Sequence, residues 1–401
     1  MKIASTTASA NDETARIFFV GTYGDEHQPG GIYSLRISSG GKNITPLAHL
    51  EQPRLAGYLL YDDKTTTLYA VDERKNDGRG PVEPATSVMA FSVNTETGHL
   101  HQRNTQLAPG PRPTYLSLDS EKRRLFSANH GDFEHVEKVV FQNGAWTSEY
   151  AYDDSTVIMY GLNNDGSIAG INDLIVLQGQ GKDPNRSKQA AGHAQASAHA
   201  HSATVSPDGK HLLVCDKGTD SVLVYQIGDK LERVNRYAFP AESAPRHLVF
   251  ADDRRLYLDL EISSEIASMA SDPLTGELSL LDIISTLGEG FHGHNEPAEI
   301  RLHPNGRFVY VNNRGEDVIA WFGIGGKGEL TRLCAAKLAK SIHPGLASRS
   351  FVFDPSGRYL LSADRPDNKV KVFNVDDKSG ALQFISAFAV PQPAFLTFME
   401  E

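Results

Sequence analysis

The chain contains little cysteine and little tryptophan. Of its 401 residues only two are cysteine, Cys215 and Cys334, and two are tryptophan. Two thiols far apart in the sequence cannot supply the disulfide framework on which many small secreted domains depend. Such a chain suits a reducing compartment, and we therefore expect a cytoplasmic protein.

Long apolar runs and an excess of basic charge are absent as well. No stretch approaches the ~18 consecutive apolar residues that indicate a membrane helix, and the polar segment 1–15 lacks the apolar centre of a secretion signal. The formal net charge is −11, and no basic stripe is present that could neutralise phosphates. We expect a flexible N-terminal segment over residues 1–15, and neither a membrane nor a nucleic acid as partner.

What the chain does have is a repeat. Six segments share a turn, an apolar strand and a polar break, and a seventh lacks only the leading turn. The later copies follow one another at intervals of roughly 45 to 55 residues, which is the period expected of propeller blades. In chain order the seven segments read ARIFFVGTYG, KTTTLYAVDE, KRRLFSANHG, GKHLLVCDKG, DRRLYLDLEI, GRFVYVNNRG and GRYLLSADRP.

Each repeat carries signals for four short strands. In the sixth repeat these strands are predicted at 297–304, 307–313, 317–324 and 329–338, with a tight turn at 303–306 between the first two. A second turn, between the third and fourth strands, ends in a glycine that can supply the positive φ of a hairpin. The glycines in question are Gly98, Gly166, Gly276, Gly328 and Gly380.

The two ends of the chain complement each other. The first repeat lacks its innermost strand, while an apolar segment at 393–399 follows the last repeat without a partner. Adding that segment to the first repeat would close a ring and remove an exposed edge. An open pair of sheets would leave both observations unexplained. We therefore predict an all-β fold, a seven-bladed β-propeller of four-stranded blades closed by the C-terminal strand, as a single domain over residues 16–401.

Charged residues recur where each second strand ends, and polar residues recur where each first strand begins. These two positions share one rim of a propeller, because the two strands are antiparallel neighbours. The second strands are followed by Tyr23, Glu73, His130, Lys217, Glu261, Arg314 and Arg365. The first strands begin with His201, Arg246, His247, Glu299 and Arg349.

A cluster of this composition suits attack on the carbonyl group of an anionic substrate. A carboxylate or an imidazole can take a proton from water, and guanidinium groups can hold an anion and stabilise an oxyanion. Arginine is well matched to carboxylate and phosphate groups. The alternative is that these residues form structural ion pairs that tie neighbouring blades together.

A metal site is possible but disfavoured. His199 and His201 are two residues apart and would share one face of a strand, with His247 or Glu299 as a third ligand. The surrounding arginines would repel a cation, so we expect neither a metal nor a cofactor. The chain has no nucleophile elbow, phosphate-binding loop or dinucleotide fingerprint, and neither cysteine has the surroundings of a nucleophile.

Several motifs together resemble the seven-bladed propeller lactonase family, which includes propeller-type 6-phosphogluconolactonases and fungal carboxy-cis,cis-muconate cyclases. The motifs are HAHSATVSPDGK, APRHLVF, AEIRLHPNGRFVYVNNRG and SRSFVFDPSGRYLLSAD, and the resemblance extends from residue 21 to the terminal strand. It implies a cytosolic, metal-independent hydrolase of carbohydrate metabolism, in the pentose phosphate pathway, acting on a small anionic lactone such as 6-phosphogluconolactone.

The resemblance also assigns roles to residues. By motif, the family's catalytic positions fall on His201, Arg246, Glu261 and Arg314. Either His201 or Glu261 would activate water, and Glu299 stays open as a third candidate. We expect substrate binding by the remaining polar residues of the mouth, which are His199, His247, Glu299, Arg349 and Lys217.

Two other functions stay open, and so does the role of two insertions. A muconate-type lactone cycloisomerase would use the same residues, and a non-catalytic binding propeller would expose an apolar patch on a rim. The insertions at 131–152 and 178–198 lie on the rim of the polar cluster, where long loops commonly act as lids or binding loops. The oligomeric state cannot be read from these patterns.

Overall fold

Strands make up nearly all the regular structure in the computed structural model, which describes residues 15–24, 27–75, 85–182, 195–342 and 345–399. Over these ranges the strands form seven four-stranded antiparallel sheets and one separate two-stranded hairpin. No described helix is long and apolar enough to cross a membrane. The flexible segment expected over residues 1–15 falls, apart from Ala15, outside the described residues.

The first three blades follow the chain from its N-terminal end. Blade 1 contains β1 (Arg16–Thr22), β2 (Gly31–Ile37), β3 (Ile44–Leu50) and, from the far end of the chain, β30 (Pro393–Phe398). Blade 2 contains β4 (Leu59–Asp62), β5 (Thr67–Val71), β6 (Ser87–Val93) and β7 (Leu100–Leu107). Blade 3 contains β8 (Pro113–Asp119), β9 (Arg124–Asn129), β12 (Thr156–Leu162) and β13 (Ile168–Val176). The separate hairpin consists of β10 (His135–Gln142) and β11 (Ala145–Tyr152).

The remaining four blades each take four consecutive strands. Blade 4 contains β14 (Ala200–Val205), β15 (His211–Asp216), β16 (Ser221–Ile227) and β17 (Leu231–Ala238). Blade 5 contains β18 (Pro245–Phe250), β19 (Arg255–Leu260), β20 (Glu265–Ser271) and β21 (Leu278–Ser285). Blade 6 contains β22 (Glu296–Leu302), β23 (Phe308–Arg314), β24 (Val318–Ile324) and β25 (Leu330–Lys337). Blade 7 contains β26 (Ser350–Phe353), β27 (Tyr359–Asp364), β28 (Lys369–Val375) and β29 (Leu382–Ala389). Single 3₁₀ turns lie at Lys217–Thr219 and Arg365–Asp367.

The C-terminal strand closes the ring, as predicted. β30 pairs antiparallel with β1, with Phe18 opposite Phe398 and Val20 opposite Leu396. Leu396 is fully buried. The last strand of the chain therefore occupies the innermost position of blade 1, and the inner edge of β1 is covered.

Adjacent blades are joined by apolar packing and by tyrosines that reach the turns of the next blade. The hydroxyl of Tyr69 in blade 2 donates to the carbonyl oxygen of Gly166 in blade 3, at 2.7 Å. Tyr310 in blade 6 makes the same contact with Gly380 in blade 7, at 2.6 Å. Both glycines have positive φ, +83° and +73°, as their turn positions require. The turns predicted from glycine spacing are thus confirmed and also carry contacts between blades.

The insertion at 131–152 is a β-hairpin rather than an irregular loop. Its strands are joined by Asn143 and Gly144, whose φ values of +50° and +81° are those of a type I′ turn. An Asn-Gly pair between two runs of β-prone residues is a strong hairpin signal, so the expectation of a long loop at 131–152 is corrected to a hairpin. The hairpin connects the second and third strands of blade 3, so it rises from the rim where the polar residues lie.

Candidate active site

Glu261 lies at the centre of a buried cluster of cations. It follows β19 directly and is 2 % exposed. Its carboxylate lies 2.6 Å from Nζ of Lys217, 3.2 Å from Nε of Arg246 and 3.1 Å from Nη2 of Arg314. Burial alone would raise the pKa of Glu261, but the three cations outweigh it and hold the pKa well below its ordinary value. Glu261 is therefore a carboxylate over the whole physiological pH range.

This cluster also ties three blades together. Lys217 follows the second strand of blade 4, Arg246 lies in the first strand of blade 5, and Arg314 ends the second strand of blade 6. Arg314 makes a further ion pair with Glu296, at 3.1 Å. The structural ion pairs considered as an alternative are thus present around Glu261, and they hold the arginines in fixed positions at the mouth of the channel.

A second chain of contacts runs through the first strands of blades 4, 5 and 6. Nδ1 of His201 lies 3.1 Å from Nε2 of His247. Nδ1 of His247 lies 3.5 Å from Glu299, whose carboxylate is 3.2 Å from Nε of Arg301. All four side chains of this relay (His201, His247, Glu299 and Arg301) lie in or beside the central channel. Arg301 was missed in the sequence, although it is two residues from Glu299 and so shares a strand face with it.

The donors in this relay set the tautomers of both histidines. Nη1 of Arg246 lies 3.5 Å from Nε2 of His247, and an arginine can only donate. Nε2 of His247 is therefore an acceptor, and its proton sits on Nδ1, facing Glu299. It follows that His201 must donate from Nδ1 to His247. The other ring nitrogen of His201, Nε2, then keeps a lone pair with which it can accept a proton.

Burial and charge keep both histidines neutral. Burial lowers the pKa of His201 well below its ordinary value, and the nearby Arg246 lowers it further. The same two causes lower the pKa of His247 to about 4. Burial opposes ionisation of Glu299, yet Arg301 and His247 bring its pKa below the ordinary value. At neutral pH the relay is an ionised carboxylate followed by two neutral imidazoles.

His199 takes a different place from His201. Its ring stacks on that of His130 at 4.7 Å, and its Nδ1 lies 3.0 Å from the carbonyl oxygen of His130. The ring of Phe133 contacts both histidines, with centroids 4.8 Å from that of His199 and 5.2 Å from that of His130. His199 is thus part of the wall behind the relay and is 2 % exposed. Among the described residues, no three His, Cys, Asp or Glu side chains are arranged to hold a metal ion.

Arg349 pairs with a carboxylate that the set of candidate site residues did not include. Its Nη2 lies 2.6 Å from Oε2 of Glu73, and the hydroxyl of Tyr23 donates to the same oxygen at 2.5 Å. The guanidinium groups of Arg349 and Arg365 lie over the Tyr23 ring, 4.9 and 4.7 Å from its centroid. Blades 1, 2 and 7 therefore supply a second polar cluster, built from four residues that all stand at the predicted rim.

Residues of the relay and of the second polar cluster line one small cavity. Its volume is about 20 Å³, enough for a single water molecule. Two larger hollows, of about 250 and 540 Å³, contain none of the predicted site residues. The polar side chains around the small cavity are Tyr58, Glu73, Thr114, His201, Arg246, His247, Glu299 and Arg349. Five of the nine predicted site residues line this cavity. Three more, Glu261, Lys217 and Arg314, form the ion-pair cluster that holds Arg246 in place behind it. The ninth, His199, lies in the wall.

The hairpin β10–β11 stands at the mouth of the same channel. At its foot, Asp132 lies 3.3 Å from Nζ of Lys75 and 3.1 Å from Nη2 of Arg112. Beyond the foot, one face of the hairpin is apolar and open to solvent. The exposed fractions are 74 % for Val139, 59 % for Phe141, 74 % for Trp146 and 52 % for Tyr150. In the other insertion, 178–198, residues 183–194 lie outside the described ranges, so its predicted lid role stays a prediction.

The class of protein that this fold defines is the seven-bladed β-propeller with a polar channel mouth. The chain matches the family described as Lactonase, 7-bladed beta-propeller, over residues 17–398, and it belongs to that family. The resemblance predicted from the motifs is thereby confirmed. The family description implies a hydrolase that acts on lactone esters.

Known proteins similar to the chain carry lactonase names. A 6-phosphogluconolactonase of Bacillus subtilis is 26 % identical over 97 % of this chain and 99 % of its own length. A 6-phosphogluconolactonase of Formosa agariphila is 23 % identical over 91 % of this chain and 94 % of its own. Among solved structures, the periplasmic gluconolactonase of Pseudomonas aeruginosa is 27 % identical, covers 96 % of this chain and 99 % of its own, and superposes with a TM-score of 0.80.

Proposed function

We propose that this protein hydrolyses 6-phosphogluconolactone to 6-phosphogluconate at the mouth of its central channel. The observation that carries the proposal is the relay from Glu299 through His247 to His201, which presents a basic nitrogen beside Arg246. A base next to a fixed guanidinium is what water attack on an ester carbonyl requires. Membership of the lactonase family and the names of the Bacillus subtilis and Formosa agariphila relatives support the choice of substrate.

In the proposed reaction His201 is the base. Its Nε2 takes a proton from water while the water oxygen attacks the lactone carbonyl carbon, and Arg246 stabilises the oxyanion that forms. Glu261 is a poor candidate for the base, because its carboxylate contacts Lys217, Arg246 and Arg314 and is not part of the lining of the small cavity. Its role is instead to hold Arg246 and Arg314 in place. Because a guanidinium supplies the positive charge, the reaction needs no metal ion or cofactor.

Cationic groups at the mouth support an anionic substrate. Arg349 and Arg365 both lie against Tyr23, while Glu73 is the carboxylate that Arg349 contacts. This gives the second cluster a net positive charge, in a protein whose net charge is −11. A phosphate or carboxylate on the lactone would find its partner here, since arginine binds both groups in a planar, two-pronged geometry.

A titration assay tests the proposal directly. Acid release would be followed in a pH-stat with fresh 6-phosphogluconolactone, gluconolactone and a muconolactone, each with and without EDTA. We expect rapid hydrolysis of the phosphorylated lactone that EDTA does not slow. Preference for the neutral gluconolactone would reassign the arginines to the oxyanion alone. Isomerisation of the muconolactone without acid release would favour the cycloisomerase, which would use the same residues.

The exposed face of the hairpin favours a second function, the binding of a protein partner, and we propose a second copy of this chain as the partner to test first. A binding propeller was expected to show an apolar patch on a rim, and the hairpin presents one beside Phe141 and Trp146. An isolated two-stranded hairpin is only marginally stable in water, so it gains from being covered. Sedimentation equilibrium of the wild type and of the double variant Phe141→Ser, Trp146→Ser tests this. A monomeric wild type at all concentrations would exclude it.

We also propose that the protein is cytoplasmic. Both cysteines are unpaired, and Cys334 is exposed, as suits a reducing compartment. Cell fractionation with antibody detection is the test, and recovery in an exported fraction, as the name of the Pseudomonas aeruginosa relative states for that protein, would overturn the proposal.

A further inference from the structure

We propose that Glu73 is the acid that protonates the ring oxygen when the lactone opens, an inference that rests on the proposed hydrolysis. Glu73 follows β5 in blade 2 and lines the same small cavity as His201 and Arg246. The proposed base, His201, and the carboxyl group of Glu73 therefore line the same cavity but belong to different blades. Glu73 is not among the catalytic positions that the sequence motifs imply.

The hydrogen bonds of Glu73 leave one of its oxygens available for a proton. Both donors, the Tyr23 hydroxyl and Nη2 of Arg349, contact Oε2, at 2.5 and 2.6 Å. Within the described part of the chain no group donates to Oε1. A carboxyl group with two donors on one oxygen can carry its proton on the other, where it faces a substrate rather than an arginine.

The backbone around Glu73 is built to bring this carboxyl group close. The amide of Glu73 donates to the carbonyl oxygen of Leu55 at 2.9 Å. A Cβ atom on Gly57 would collide with Oε2 of Glu73, so the absence of a side chain at Gly57 is what lets the carboxyl group lie there. Glu73 is also mostly buried, with a side chain 12 % exposed.

Burial makes Glu73 suitable for proton donation near neutral pH. Its pKa is raised to about 7, because desolvation outweighs the attraction of Arg112, Arg246 and Arg365. By contrast, Glu261 is held ionised by its three cations. Two carboxyl groups whose pKa values are moved in opposite directions are typical of sites where one donates protons and the other stabilises charge.

The chemistry of ring opening requires such a donor. Water adds to the carbonyl carbon, one of its protons passes to Nε2 of His201, and Arg246 holds the resulting oxyanion. The bond from that carbon to the ring oxygen then breaks as the Glu73 proton passes to the ring oxygen, which leaves as a hydroxyl rather than as a strongly basic alkoxide. The His201 proton and that of the new carboxylic acid are released, and Glu73 is reprotonated from solvent.

The test compares two leaving groups. 6-Phosphogluconolactone expels an alkoxide, whereas dihydrocoumarin expels a phenolate, which departs readily without protonation. We expect Glu73→Gln to lower kcat for 6-phosphogluconolactone about 10²-fold or more and to leave dihydrocoumarin hydrolysis nearly unchanged. The matched control is Glu134→Gln, an exposed carboxylate at the hairpin foot, which should leave both rates as in the wild type.

The pH profile of the wild type gives a readout that needs no variant. Because Glu73 must be protonated, kcat/KM for 6-phosphogluconolactone should fall as the pH rises through about 7, and the profile for dihydrocoumarin should lack this decline. Glu73→Gln should abolish the decline. Tyr23→Phe removes a donor that favours the ionised carboxylate, so it should shift the decline to higher pH.

The outcomes separate the two proposals. If the wild type hydrolyses no lactone, the proposed function fails. If it hydrolyses 6-phosphogluconolactone but Glu73→Gln slows both substrates equally and leaves the alkaline decline in place, the role of Glu73 is only to position Arg349, and the inference is overturned. A decline present with both substrates in the wild type overturns it as well, even where the variant does not fold.

Discussion

Nδ1 of His201 lies 3.1 Å from Nε2 of His247, and this contact joins the first strands of two neighbouring blades. Arg246 can only donate to Nε2 of His247, so the direction of the hydrogen bond from His201 is determined. The ring nitrogen of His201 that remains free of a proton is the one we assign to water activation. Two predictions concern this contact, and three more concern the neighbouring arginines, Glu261 and the closing strand.

Replacing the base should slow the chemical step. His201→Gln is expected to lower kcat by about 10²–10⁴-fold, the usual contribution of a general base. His101, an exposed histidine on β7, supplies the control: His101→Gln should leave kcat as in the wild type. Initial rates in the pH-stat measure both. A His201→Gln enzyme as fast as the wild type would remove His201 from the mechanism.

Replacing His247, which accepts the hydrogen bond from Nδ1 of His201, should lower the rate by removing the contact that fixes the tautomer of His201. His247→Phe leaves Nδ1 of His201 without an acceptor, so kcat should fall with little change in KM. His247→Gln retains an acceptor oxygen and should restore part of the loss. In the wild type, the acid limb of kcat/KM should lie below the ordinary histidine pKa, because burial lowers the pKa of His201. Equal loss in both variants would mean that His247 serves packing alone.

Removing the guanidinium group of Arg246 or Arg314 should weaken stabilisation of the transition state. Arg246→Ala is expected to lower kcat about 10²-fold or more, the effect of losing an oxyanion donor. Arg314→Ala should lower kcat less, because Arg314 acts through Glu261, which holds Arg246 in place. Arg307→Ala is the matched control, because Arg307 directly precedes β23, at the end away from Arg314, and its side chain is half exposed. Rates are compared at saturating lactone, with circular dichroism to check folding. Unchanged activity in both variants would rule the proposed site out.

Glu261→Gln should destabilise the fold, because it leaves Lys217, Arg246 and Arg314 buried without their shared carboxylate. Loss of one partner from a buried ion pair costs about 3–5 kcal/mol. Since the pKa of Glu261 is depressed in the folded state, its contribution is complete above the ordinary pKa of 4.5 and is lost as the pH falls below it. Urea unfolding at several pH values measures this. The difference between wild type and variant should shrink as the pH is lowered below 4.5; a constant difference would contradict the account.

Weakening the closing strand should lower stability without touching the site. Leu396→Ala removes a fully buried side chain of β30, opposite Val20 of β1. We expect it to lower the free energy of unfolding by about 2–5 kcal/mol. Leu274→Ala, at a residue 81 % exposed, should change the free energy of unfolding by no more than about 0.5 kcal/mol. Equal effects of the two substitutions in urea unfolding would show that ring closure contributes little.

Much of the fold could be predicted because it repeats. Each blade carries its own turn glycine and its own apolar strands, and the unpaired segment at 393–399 matched the strand missing from the first repeat. The hairpin at 131–152 belongs to no repeat and was interpreted as a loop, although Asn143 and Gly144 mark its turn. A local signal was present there, but it competed with the repeat pattern and was overlooked.

The candidate site was predictable only in part, for a related reason. His201 and Arg246 stand at one equivalent position of two neighbouring blades, and His247 and Glu299 stand at the next position along the strand. Strand register alone therefore brings these four residues to one mouth. Spacing along the chain says nothing about which charge contacts which. That Glu261 is surrounded by three cations, while Glu73 has a raised pKa, depends on how the blades are packed.

The amino-acid sequence by itself determined the number of blades, the four-strand repeat, the closing strand and the residues that line the rim, because all of these follow from strand periodicity and turn chemistry over short stretches. The tertiary structure alone decided the pairing of Glu73 with Arg349, 276 residues apart. Closure of the ring places the first blades against the last, and only then do burial and neighbouring charges set which carboxyl group can carry a proton.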